Sequence, residues 1–131
     1  MQVETMSDSS KRILVVDDDE EILETVRFAL QDQGYEVLLA HDGQEGLMRA
    51  ERDQPDLILL DIIMPKRSGF AVLERLRQSR IRSPRIIMLT ANTDPRHLEF
   101  AESRGADAFL NKPFDMDELL ATVESLLNKE D

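Results

Sequence analysis

Short runs of consecutive apolar residues alternate along this chain with longer stretches whose apolar residues recur every three or four positions. "RILVVD" (12–17), "YEVLLA" (35–40), "DLILLD" (56–61), "RIIMLT" (85–90) and "DAFL" (107–110) are of the first kind. Their length and their branched residues predict strands. Between them, "EEILETVRFALQDQ" places Ile22, Leu23, Val26, Ala29 and Leu30 on one helical face, and Gly34 follows as a stop. "GQEGLMRAERD" predicts a weaker helix after the Asp42-Gly43 turn. Phe70, Leu73 and Leu76 mark a third helix, with Ser68 near its start. Asp94 and Pro95 suit the cap and first position of a fourth. Asp115 and Glu118 bracket the start of a fifth, striped by Leu119, Leu120, Val123, Leu126 and Leu127.

Five strands alternating with five helices predict parallel βα units with helices on both faces of the sheet. The expected class is α/β, a doubly wound parallel sheet. The near-continuous apolar runs of the first, third and fourth strands suit central, doubly buried positions. Residues 1–11, "MQVETMSDSSK", are polar and aperiodic and read as a disordered tail. Residues 12–128 read as one domain, without repeats, linkers or low-complexity segments.

Composition narrows the class further. The chain has 131 residues, 41% hydrophobic and 33% charged, enough for one domain with a real core. The apolar runs are far too short to cross a bilayer, and the N-terminus lacks a secretory pattern. With no cysteine there is neither a disulfide framework nor a thiolate zinc site. These features favour the cytoplasm. A net charge of −11 repels phosphate backbones and acidic membranes, so neither nucleic acid nor membrane is an expected direct partner. A cationic protein face or a metal ion is.

One carboxylate stands out. Asp61 closes the run "LILL" and is followed by "IIMP", although a charge is costly to remove from water without compensation. In open α/β sheets, ligands gather beyond the carboxyl ends of the strands. Strand one ends in Asp17, Asp18 and Asp19, strand three in Asp61, strand four in Thr90, and strand five runs into Asn111 and Lys112. With strands one and three adjacent, Asp17, Asp18 and Asp61 converge. Two carboxylates about 4 Å apart repel by roughly 4 kcal/mol at an effective dielectric near 20. Lys112 offsets one charge, so the surplus calls for a proton or a cation. Hard oxygen donors point to magnesium, with manganese as a substitute.

Simpler readings exist for each residue alone. Asp19 is a helix N-cap, Asp17 and Asp18 are acidic helix-start residues, Asp61 is a turn residue and Lys112 a solvated charge. Their joint placement at strand ends favours the site. The "DDDEE" run lacks the central glycine and spacing of a calcium loop, and no glycine-rich phosphate loop is present. His41 and His97 lack partners at ligand spacing and read as surface residues.

These residues resemble the receiver domain of two-component response regulators, from Arg12 to about Asn128. "ILVVDDD" is similar to the family's acidic pair, at Asp17 and Asp18. "LILLDIIMPKRSG" is similar to its phospho-acceptor loop, with the acceptor at Asp61. "MLTA" carries its switch threonine, Thr90, followed by Ala91. "GADAFLNKPF" carries its lysine, Lys112, before Pro113, where the family has a cis peptide bond. The resemblance implies the flavodoxin-like strand order 2-1-3-4-5. It also implies that Asp61 takes a phosphoryl group from a phosphohistidine of a histidine kinase or phosphotransfer domain. Magnesium would be held by Asp18, Asp61 and the backbone carbonyl of Ile63, with Asp17 acting through water. Such a domain is no general enzyme and catalyses only its own phosphorylation and dephosphorylation. Output is expected on the face of helix four, strand five and helix five, toward an effector protein, through Thr90 and the aromatic switch residue Phe109.

The chain departs from the family pattern in places. Phe109 lacks the hydroxyl common at that position, which favours an inward side chain and some active-like state before phosphorylation. Ile63 and Asn92 occupy positions that tune access of hydrolytic water. Helix five lacks the basic residues of receivers from winged-helix transcription factors, which favours a stand-alone receiver or one excised from a longer regulator. Two rival classes remain. Haloacid-dehalogenase-type phosphatases share the Asp17, Asp19 spacing, but Glu21 stands where they need Thr or Val. A degenerate receiver that only binds a partner would typically have lost part of the set that is complete here.

Overall fold

The computed structural model describes residues 10–64, 68–78, 84–91 and 95–128. Most of the expected tail, together with Asn92 and Asp94, lies outside the described residues, as do the side chains of His97, Leu98 and Ala101. Five strands alternate with five helices: β1 (Arg12–Val16), α1 (Glu20–Asp32), β2 (Glu36–Ala40), α2 (Gly43–Asp53), β3 (Leu57–Asp61), α3 (Gly69–Gln78), β4 (Arg85–Thr90), α4 (Pro95–Ser103), β5 (Ala108–Asn111) and α5 (Met116–Leu127). All strand pairs are parallel, in the order β2-β1-β3-β4-β5. Because β1 lies between β2 and β3, the order reverses there, and a crevice opens beyond the strand ends.

Local chemistry sets the helix ends. Asp19 caps α1, its Oδ1 accepting from the Glu21 N–H at 2.9 Å. Asp42 caps α2 by accepting from Glu45 N–H at 2.8 Å, and Asp115 caps α5 by accepting from Asp117 N–H at 2.8 Å. Each satisfies a first-turn donor that has no partner within the helix. Gly34, at φ 97°, turns the chain out of α1 in the left-handed region open to glycine.

Successive strand residues point to opposite faces. Leu14, Val16, Ile58, Leu60, Ile86 and Met88 pack on one side with Leu47 and Ala50 of α2 and Val72, Leu73 and Leu76 of α3. Ile13, Val15, Leu57, Leu59, Ile87 and Leu89 pack on the other with Leu23, Val26 and Leu30 of α1 and Leu119, Val123 and Leu126 of α5. This two-sided burial explains why β1, β3 and β4 read as continuous apolar runs while edge strand β2 is only partly covered.

Close packing of α2 on β1 depends on Gly46. A Cβ there would lie 2.8 and 2.9 Å from the two methyl carbons of Val16, a side chain with little rotamer freedom. Gly46→Ala is therefore expected to destabilise the fold by about 1–3 kcal/mol through overpacking. Adding Val16→Ala should return part of that loss, giving a non-additive pair in urea unfolding.

Candidate functional site

Strand register brings the acidic residues together. Val16 pairs with Leu60, so the next residues, Asp17 and Asp61, emerge side by side at the carboxyl end of the sheet. Asp17 is fully buried and Asp61 is 5% exposed, whereas Asp18 faces outward. Carboxylate oxygens of Asp17, Asp18 and Asp61 all lie within 4.8 Å of one another. Thr90, buried at the end of β4, and Lys112, just past β5, complete the rim; Lys112 N–H donates to the Thr90 carbonyl at 2.7 Å. The Lys112–Pro113 peptide bond is cis.

Lys112 Nζ sits 2.8 Å from Asp17 Oδ2 and 3.3 Å from Asp61 Oδ2. Its side chain is only 17% exposed, so the reading of Lys112 as a solvated surface charge does not hold. The lysine is nearer to Asp17 than to the residue whose placement first called for it. The second oxygen of Asp17 accepts from the Asp19 N–H at 2.9 Å. Asp17 Oδ2 is buried, and the Lys112 ammonium 2.8 Å away is its close partner, as an ion pair.

Burial pushes the Asp61 carboxyl up to about 6, and the neighbouring Asp17 charge adds to this. Lys112 and the Ile63 N–H oppose the rise without cancelling it. For Lys112, burial alone would lower the ammonium's pKa. Ion pairing with Asp17 and Asp61 outweighs that, and the net shift is upward. The lysine thus stays charged, and the excess negative charge falls on the carboxylates.

The donor set therefore fits a divalent cation: hard oxygens from three carboxylates within 4.8 Å of one another, with a surplus of negative charge. Asp19 stands apart from the cluster as the α1 cap. Beside Lys112 opens a recess of about 260 Å³, lined mainly by Ile22, Val26, Pro113, Phe114 and Met116. Ile63 is 67% exposed at the mouth of the site. Phe109 is half-buried against the α2–α3 side of the core. His41 is exposed, with Glu20 Oε2 2.9 Å from its Nε2 and Glu45 Oε1 3.2 Å from its Nδ1, and takes no part in the cluster.

Gly69 escaped sequence reasoning. Its N–H donates to the Ile62 carbonyl at 2.8 Å, closing the loop after β3. A Cβ there would collide with the Asp61 carbonyl oxygen and approach Ile62 Cα to 2.8 Å. The glycine lets α3 begin directly against the backbone of Asp61. A glycine opening an amphipathic stretch soon after "LILLD" was the available signal.

The response regulator receiver domain family matches residues 13–124. Over 120 residues the chain is 41% identical to the alkaline phosphatase synthesis transcriptional regulatory protein PhoP of Bacillus subtilis, covering 92% of this chain and 50% of that one. Over 112 residues it is 45% identical to the transcriptional regulatory protein DltR of Streptococcus agalactiae, covering 86% and 50%. It thus spans about half the length of these relatives. Among solved structures, a CheY-like receiver domain protein from Methanospirillum hungatei superimposes with a TM-score of 0.87 at 36% identity, covering 92% of this chain and 95% of that one. The chemotaxis response regulator CheY4 of Vibrio cholerae gives 0.84 at 37%, covering 90% and 99%.

Above pH 6 the folded chain carries a buried charge at Asp61 that the unfolded chain carries in water. Between about pH 4 and 6 the folded state holds this proton more tightly than the unfolded state does, so stability falls as pH rises through that window. Asp61→Asn removes the charge. In chelator it is expected to stabilise the protein at pH 7 by up to about 3 kcal/mol, with the gain vanishing toward pH 4. Paired urea titrations of variant and parent at both pH values check this.

Proposed function

Because this chain belongs to the response regulator receiver domain family, a signalling family, we propose that Asp61 is its phospho-acceptor and that a histidine kinase or phosphotransfer domain supplies the phosphoryl group. The observation that carries this reading is the buried Asp61 beside Asp17, with Asp18 at the rim and Lys112 paired to both buried carboxylates. An Asp61 carboxylate oxygen attacks phosphorus. The bond from phosphorus to the donor's imidazole nitrogen breaks, and that nitrogen leaves with the electron pair. The product is an acyl phosphate on Asp61.

Receiver domains bind magnesium at such an acidic cluster. Here Asp18, Asp61 and the Ile63 carbonyl would hold the ion, with Asp17 acting through water. When bound, it supplies charge neutralisation and orientation for the transferring phosphoryl group. Asp17 keeps the Lys112 ammonium beside the acceptor, where it offsets charge on Asp61 and later on the phosphoryl oxygens. Burial of Asp17 and Asp61 limits competing water. The apolar recess next to Lys112 flanks the approach to Asp61 and offers a contact for the donor domain.

Output is assigned to the face of α4, β5 and α5, toward an effector protein. Thr90 and Phe109 respond there, Thr90 by its hydroxyl and Phe109 from its half-buried position. The receiver itself, with a net charge of −11, is unsuited to binding nucleic acid directly. The names of PhoP and DltR describe transcriptional regulators, so in a longer protein such a role would fall to another domain. Among the described residues no helix is long and apolar enough to cross a membrane.

Incubation with a small acyl-phosphate donor and magnesium is expected to add one phosphoryl group by intact mass. The gain should need magnesium and disappear in Asp61→Asn; labelling of that variant at the parent's rate would reassign the acceptor. Asp18→Ala should weaken magnesium binding by calorimetry more than any other single carboxylate change outside Asp61. Equal affinity in that variant would overturn the metal assignment.

A further inference from the structure

The first turn of α3 touches two things at once. On one side, Gly69 lies against the backbone of Asp61 and Ile62 with no space for a side chain, and its N–H is bound to the Ile62 carbonyl. On the other, the next residue, Phe70, meets Phe100 of α4 in an edge-to-face contact, ring centroids 4.9 Å apart at 79°. The Arg104 guanidinium covers the Phe100 ring at 4.4 Å and pairs with Glu74 of α3 at 3.2 Å. Phe100 is 40% exposed, so its ring is held by these groups more than by the core. The far end of α3 is fixed separately. Arg77 donates to the Gly105 carbonyl at 3.1 Å and to the Pro84 carbonyl at 2.9 Å.

We propose that Phe70 and Phe100, capped by Arg104 and Glu74, form a clasp through which the backbone of the acceptor loop sets the position of α4. The proposal rests on the assignment of Asp61 above and adds a route to α4 separate from Thr90 and Phe109. A change of charge or ligation at Asp61 moves the backbone of 61–63. Gly69 has no side chain to absorb that movement, and Arg77 resists sliding of the whole helix. Displacement of the first α3 turn therefore carries the Phe70 ring with it, and the Phe100 ring follows. By linkage the coupling runs both ways: loosening the clasp must alter ligand affinity at Asp61 by the factor through which that ligand alters the clasp.

The test uses magnesium with beryllofluoride, an acyl-phosphate mimic, on the parent, Phe70→Leu, Phe100→Leu, the double variant and Arg104→Gln. Amide exchange across 95–103 and mimic affinity are both measured. An exposed aromatic pair of this kind corresponds to about a two- to tenfold effect. Phe100→Leu should speed α4 exchange by about that factor, change mimic affinity several-fold and blunt the α4 response, while exchange in β1 and β3 stays unchanged. The double variant should go no further than either single, and Arg104→Gln should give a weaker version of the same pattern. Single variants with parental affinity and a full α4 response would overturn the clasp, as would effects that simply multiply in the double variant. A parent that binds no mimic would instead overturn the assignment of Asp61 itself.

Discussion

Too many carboxylates for one buried cation is the constraint around which this end of the molecule is organised. Asp17 and Asp61 are both withdrawn from water, Asp18 stands at their rim, and among the described residues Lys112 is the cation that lies between them. The ammonium's position 2.8 Å from Asp17 makes Asp17 its anchor and leaves Asp61 the less neutralised partner. That asymmetry suits the phosphoryl-accepting role proposed for Asp61, which is near a positive charge yet not fully consumed by it. The cost appears as an upward pKa for Asp61.

The rest of the fold holds these side chains where they would not gather unaided. Two close-packed layers on opposite faces of the sheet fix the register of β1 against β3, and that register sets Asp17 beside Asp61. The β4–β5 pairing then delivers Thr90 and Lys112 to the same edge. Glycines operate at the tightest approaches. Gly46 brings α2 onto Val16, and Gly69 brings α3 onto the carbonyl of Asp61. A charged site is thus built where two close-packed layers end, while Phe100 of the Phe70–Phe100 contact is 40% exposed.

Much was legible in the chain because local rules and global fold agree. Short consecutive apolar runs marked the five strands, helical spacing or cap residues marked the five helices, and aspartates at 19, 42 and 115 mark helix starts in sequence and structure alike. Edges were less exact: β1 stops at Val16 and β2 starts at Glu36, each one residue inside the apolar run that marked it. Helix α4 is different: Phe100 finds a partner on α3 that no pattern within α4 encodes.

By itself the sequence determined the element order, the two-sided burial of the central strands and the arrival of Asp17, Asp18, Asp61, Thr90 and Lys112 at strand ends. These follow from residue type and spacing, which act over a few positions. Tertiary structure alone decided which carboxylate Lys112 favours, that Asp17 is fully buried, and that Gly69 abuts Asp61. Such outcomes depend on distances of a few tenths of an ångström between segments far apart in the chain, and close packing of the whole domain sets those distances.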